Sequence, residues 1–339
     1  MKSSFLSVVI FILILGCTKT SSEINSEPKL DLLPSEVPFN LSSNSIFYKD
    51  ISYGQHERNK LDYFTPKTSA PTPLIIFIHG GGFTGGDKSI NYNDIGFQNL
   101  INSLLFQNIS IAAINYRFIG KKDRKGVLNS IFDSKKALQF IRYYSNSFNI
   151  QKDKIVLLGS SAGAGTSLWI GLSNDLANLN ATDPILREST RVSGIVALST
   201  QSSYNVLNWD NSTFQEYENL GMNFDVIKNL VSEETLLNFY GIEKLEELDD
   251  TDIQTNAQSL DMLNLISTDD PEIYVSNTDI EYKFPENSDQ LLHHPLHAKA
   301  ILDISEINNI ECKAYIPKMN IDTRKGENIT SFILRILKN

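Results

Sequence analysis

Two short segments of this 339-residue chain carry residue types that do chemistry together. The first is Gly159-Ser160-Ser161-Ala162-Gly163, which follows a strand-like run, Lys154 to Leu158, and precedes a helical one, Gly163 to Leu172. A Gly-x-Ser-x-Gly pentapeptide between strand and helix forces a tight, strained turn. Small flanking residues let the Ser161 hydroxyl stand clear of the sheet, and the helix N-terminus favours negative charge beside it. That is the setting of a nucleophile. The second segment is His79-Gly80-Gly81-Gly82-Phe83, at the end of the apolar run Pro73 to Ile78. Three consecutive glycines bring backbone N–H groups close to a ligand with no Cβ in the way, as an oxyanion hole requires. By itself each segment also reads as a plain glycine-containing turn; the strand before each one gives it a chemical meaning.

A nucleophilic serine needs a base, and the chain has five histidines. His56 lies in an early hairpin and His79 belongs to the glycine segment, which leaves His293, His294 and His297. Pro295 suits the first turn of a helix, so this cluster is expected at a helix start near the carboxyl ends of the strands, where Ser161 also lies. One of the three at most would act as a relocated base. The competing readings are a structural cap, a pocket wall without proton transfer, and a metal pair made by His293 and His297. The metal reading has no accompanying HExxH glutamate or nearby cysteine, so neither a metal nor another cofactor is expected.

The elements that must position these residues alternate short β-rich runs with helical patterns, which implies crossover connections and a mostly parallel sheet, an α/β fold flanked by helices. Strands are expected at Ser45 to Tyr53, Leu61 to Thr65, Pro73 to Ile78, Ile109 to Tyr116, Lys154 to Leu158, Val192 to Leu198, Glu272 to Ser276 and Glu311 to Ile316. Helices are expected at Asn93 to Phe106, Val127 to Phe148 and Thr330 to Leu337. The stretch from Thr200 to about Leu265 is acidic, helical in pattern and too long for an ordinary connection, so it reads as a cap inserted over the sheet. Its acidic run, Glu243 to Asp252, is a solvated face.

Ahead of this domain, residues 1–17 read as a processing signal. Lys2 supplies a positive start, Phe5 to Leu15 is an apolar run too short to span a bilayer, and Ile14-Leu15-Gly16-Cys17 resembles the lipobox of bacterial lipoproteins, with Cys17 as the lipidated residue. Residues 18–44 read as a flexible tether, and residues 45–339 as the folded domain. The expected location is therefore the cell envelope, exported and held at the membrane by lipid. With Cys17 acylated, Cys312 is left alone and no disulfide framework forms. A formal charge of −10 repels phosphate backbones, so nucleic acid is an unfavourable partner.

Together the two glycine motifs resemble the α/β-hydrolase family, specifically its carboxylesterase and hormone-sensitive-lipase-like branch with an HGGG loop. Asn115-Tyr116-Arg117 after the fourth strand is similar to that family's (D/N)-Y-R segment. The resemblance implies an α/β-hydrolase fold with a helical cap, a Ser161 nucleophile, and an oxyanion hole built from Gly81, Gly82 and the N–H of Ala162. It implies an acid next in chain order, placed at Asp279 by the match of Ile273 to Asp279 to the family's strand and short turn; a neighbour such as Asp289 is the other choice. It also implies a histidine after the last strand, where this chain reads Lys318-Met319-Asn320-Ile321-Asp322-Thr323. Two functions follow. One is a serine carboxylesterase acting through an acyl-enzyme on small-molecule or glycan esters, acetyl esters among them. The alternative is a degenerate binding lipoprotein that keeps the pocket without a working base.

Overall fold

The apolar runs around Ile75, Ile111 and Val156 lack the alternation of a half-exposed strand, so they need cover on both faces. They lie at the centre of the sheet in a computed structural model that describes residues 29–120 and 123–338. Its strands are β1 (Ser45–Ser52), β2 (Lys60–Pro66), β3 (Thr72–Ile78), β4 (Ser110–Ile114), β5 (Ile150–Ser160), β6 (Gly194–Leu198), β7 (Glu272–Ser276), β8 (Cys312–Ile316) and β9 (Ile321–Asp322). They run in the order β1-β2-β4-β3-β5-β6-β7-β8-β9. The interior from β4 to β8 is parallel, whereas β1, β2 and β9 pair antiparallel at the edges. The chain order reverses between β3 and β5, and a crevice opens beyond the carboxyl ends of strands at such a point.

The helices are α1 (Ile95–Phe106), α2 (Val127–Tyr143), α3 (Ser145–Phe148), α4 (Ala162–Leu172), α5 (Phe224–Val231), α6 (Glu233–Tyr240), α7 (Thr251–Ser259), α8 (Met262–Leu265), α9 (Ser288–Leu292), α10 (Pro295–Ile307) and α11 (Ile329–Lys338). One core joins the sheet to α2, α4 and α10 through Ile131, Leu168 and Ile301. The opposite face packs on α1 and α11 through Ile101 and Phe332. Between β6 and β7 the inserted helices α5 to α7 gather around a core of their own, in which Trp209, Phe214, Ile227 and Leu236 are buried, whereas α8 packs on the main core through Met262. Leu291 of α9 and Leu296 of α10 belong to that same core, so the segment bearing the histidine cluster rests on the insertion.

Three expectations need correcting. The Val127 to Phe148 pattern is two helices, interrupted at Tyr144 and closed by Asn149 in the left-handed conformation. The histidine cluster does not simply open a helix: His293 ends the short helix α9, and His294 caps α10. Residues 29–44 are not a free tether. Leu30 and Leu32 pack on one core, Phe39 and Leu41 on the other, the Leu30 N–H donates to Ser147 Oγ, and Asn102 holds Asn40 and Ser42. The six apolar residues of this stretch show no sustained period, yet four of them pack on the two cores while Leu33 and Val37 stay exposed. The lipobox, Cys17 and residues 18–28 lie outside the described residues. Among the described residues no helix is long and apolar enough to cross a membrane.

Candidate active site

Register brings the two glycine motifs together. Ile78 pairs with Gly159, so the chain leaving β3 as His79-Gly80-Gly81 runs beside the chain leaving β5 as Ser160-Ser161. Ser161 sits between β5 and α4 with φ 51° and ψ −120°, a region that costs a non-glycine residue about 1–3 kcal/mol. Its surroundings hold it there: the Ser161 N–H donates to Leu198 O at 2.9 Å, and its carbonyl accepts from Ala164 and Gly165. A Cβ on Gly163 would lie 1.9 Å from Ile78 O. Only glycine lets α4 start this close to β3, which explains the second glycine of the pentapeptide.

The triple-glycine loop is held from behind. His79 is fully buried, its ring stacks on Tyr116 at 4.4 Å, and its Nδ1 bonds Gly80 O at 2.6 Å. Burial pushes the imidazole down to about 4, so it stays neutral. Tyr116 donates its hydroxyl to His79 O, and Arg117 makes a two-pronged bond to Asp133 at 2.6 and 2.8 Å. The Asn-Tyr-Arg segment thus braces the loop. Gly81 has φ +107°, a conformation side chains rarely adopt, and its carbonyl takes the N–H groups of Thr84 and Gly85. That turn leaves Gly82 on the wall of a cavity shared with Ser161 and Ala162. Ala162 opens α4, where the first N–H groups have no helical partner.

The three clustered histidines have three separate environments. His293 Nε2 lies 2.9 Å from Ser161 Oγ, and its Nδ1 lies 2.8 Å from Asp289 Oδ1. A carboxylate only accepts, so it fixes the proton on Nδ1 and leaves Nε2 free to accept from the serine hydroxyl. His294 is buried; its Nδ1 accepts from Leu296 N–H and its Nε2 bonds Lys283 O. His297 is also buried, with Nδ1 against Ser202 and Nε2 against Leu291 O at 3.0 Å. Burial lowers both, His297 to about 3. Both ring nitrogens of His297 are engaged by the protein, so His293 and His297 do not converge on a metal.

Asp279 is corrected by this geometry. It bonds the Thr278 hydroxyl at 2.8 Å and meets no imidazole, while Asp289 stands four residues before His293 on α9. One helical turn puts i and i+4 on one face, so the acid and the imidazole form a local pair. The signal was present in Asn287-Ser288-Asp289-Gln290: Asn287 caps α9 by accepting from Gln290 N–H, and Gln290 answers through Glu286 N–H. A five-residue helix is too short to show periodicity, so it was missed. Sequence reasoning also missed Gln201, Tyr204 and Asn277, which frame the site and belong to no motif.

The cavity beside Ser161 has a volume of about 80 Å³. Phe83 from the glycine loop, Tyr204 and Phe239 from α6 meet there with ring centroids 5.4 to 6.2 Å apart. Val231, Leu236 and Trp209 of the insertion complete a wall that is almost wholly apolar. The insertion therefore roofs the serine.

Comparison with known proteins agrees with this geometry. The model of the BD-FAE family matches residues 61–296, a span that holds the glycine loop, Ser161, Asp289 and His293. A probable isoprenylcysteine alpha-carbonyl methylesterase of Arabidopsis thaliana is 26% identical over 166 residues, covering 47% of this chain and 32% of that protein. Kynurenine formamidase of Danio rerio is 29% identical over 150 residues, covering 44% of this chain and 46% of that protein. The aligned part thus spans less than half the length of either relative. Among solved structures, a truncated carbohydrate esterase from gut microbiota superposes with a TM-score of 0.58 at 16% identity, covering 90% of this chain and 99% of that one. Sheet order, nucleophile turn and family match agree: the chain belongs to the BD-FAE family and has the α/β-hydrolase fold.

Proposed function

We propose that this protein is a serine carboxylic-ester hydrolase with a preference for short aliphatic acyl groups. The observation that carries the proposal is the continuous relay from Ser161 Oγ through His293 to Asp289 at the mouth of the apolar cavity. Ser161 Oγ attacks the ester carbonyl while His293 Nε2 takes its proton, and Asp289 stabilises the imidazolium that forms. The N–H groups of Gly82 and Ala162 receive the oxyanion, each worth about 10²–10³ in rate, with Gly81 shaping the turn that presents them. Collapse expels the alcohol, which leaves with the proton from His293. Water, activated by the same imidazole, then frees the acid. A pocket without a base is disfavoured because His293 stands within hydrogen-bond distance of the serine.

Cavity size supports the acyl preference. About 80 Å³ of almost wholly apolar space beside Ser161 suits an acyl chain of a few carbons. Several relatives and structural neighbours carry esterase names, among them the carbohydrate esterase, which is consistent with an acylated saccharide or a small ester as substrate. The test is hydrolysis of p-nitrophenyl acetate and butyrate by the purified chain. Ser161→Ala should abolish turnover and His293→Ala should lower kcat by about 10⁶; turnover unaffected by Ser161→Ala would overturn the proposal.

We further propose that the protein is a lipid-anchored envelope protein, a reading supported by the lipobox-like Ile14 to Cys17. Cys17→Ala should move the protein from the membrane to the soluble fraction of its native cell, as read by fractionation.

A further inference from the structure

Asp289 lies in the five-residue helix α9 and His293 is the cap that ends it, so their mutual bond travels with α9 wherever it goes. The bond to Ser161 is different, because it requires α9 to be fixed relative to the sheet. A helix this short is not stable on its own bonds. Its carbonyls and those that follow are instead received by side chains: Leu291 O by His297 Nε2, Leu292 O by Gln201 Nε2 at 2.7 Å, and His293 O and His294 O by Asn277 Nδ2 at 3.2 and 3.1 Å. Asn277 also joins Thr200 on both sides, accepting its N–H at 2.9 Å and donating to its carbonyl at 3.0 Å. The Nδ2 hydrogens are thus shared among three carbonyls.

Asn277 is 2% exposed and follows β7 directly. Ser276 pairs with Leu198 of β6, and Leu198 pairs with Ser160 of β5. The side chain is therefore mounted on the same rigid sheet that carries Ser161, and it grips the backbone of the histidine itself. We propose that Asn277 is a positioning residue that sets the distance between the His293 imidazole and the Ser161 hydroxyl. It touches neither Ser161 nor the cavity, and acts through the His293 backbone. This inference rests on His293 being the base.

The experiment is a double-mutant cycle on the full chain with p-nitrophenyl acetate, with folding followed by near-ultraviolet circular dichroism. Asn277→Ala should lower kcat by about 10²-fold, the loss expected for a shift of about 1 Å in a reacting group, and leave KM within about twofold. In a His293→Ala background the same change should alter the residual rate by less than about twofold, since no base remains to be positioned. Equal losses in both backgrounds, or kcat unchanged in Asn277→Ala, would overturn the inference. If Asn277→Ala does not fold, Asn277→Ser keeps one donor; its kcat should fall between wild type and His293→Ala, and a wild-type kcat would refute the role. Full turnover by His293→Ala alone is a distinct result, which removes the base assignment and not merely the clamp.

Discussion

At the scale of single residues, the two carboxylates that the sequence offers to orient the base, Asp279 first and Asp289 as the other choice, differ sharply. Asp289 meets His293 Nδ1 at 2.8 Å, and Asp279 meets only a threonine hydroxyl. The Asp289 side chain is 70% exposed, and water weakens its hold on the imidazolium compared with a buried acid. Asp289→Asn should therefore lower kcat by about 10³, less than the ~3 × 10⁴ measured for a triad aspartate in a serine protease. Asp279→Asn should leave kcat within about twofold. Steady-state kinetics on one short-chain ester separates the two, and equal effects would show that the local pair on α9 does not orient the base.

At the scale of elements, the inserted helices decide what reaches the serine. Phe239 from α6 closes the cavity against Phe83 and Tyr204, and the chain just beyond α6 is itself tied to the connection between β4 and α2. Arg124 bonds Glu247, Asp250 and Asp252, and its N–H donates to Gly241 O just beyond α6. Phe239→Ala should open the far wall without touching the relay. The expected outcome is a shift of the kcat/KM optimum along a p-nitrophenyl ester series from two to four carbons toward six to eight, with acetate turnover falling by less than about tenfold. An unchanged profile would place the acyl chain elsewhere.

For the whole molecule, neutral buried imidazoles tie stability to pH. His79 and His297 are held at about 4 and about 3 by burial, against about 6.5 for a free histidine. In the unfolded chain they take up protons below pH 6.5, and in the folded chain only near 4 and 3. Their contribution is therefore present above about pH 6.5 and is lost as the pH falls through 6.5 toward 3. The urea midpoint should decline between pH 7 and pH 4.5, and His297→Gln should make that decline shallower even if its midpoint at pH 7 is lower. An identical slope in the variant would show that His297 is not part of the effect.

Much of this protein was determined by the sequence alone, because some signals are local. Continuous apolar runs required a buried parallel sheet, Gly81 answered a steric demand from Gly85 close by in the chain, and the insertion betrayed itself by length, whereas the demand on Gly163 comes from Ile78 on another strand. The partner of Ser161 was not local: His293 lies 132 residues away, and nothing in the spacing of three clustered histidines distinguishes the one that faces solvent and serine from the two that are buried. Only the tertiary structure decided among them. Burial and hydrogen bonding of a side chain depend on which surfaces close over it, here the helices between β6 and β7, and on an asparagine at the end of β7 whose amide bonds backbone groups that no sequence pattern connects to it.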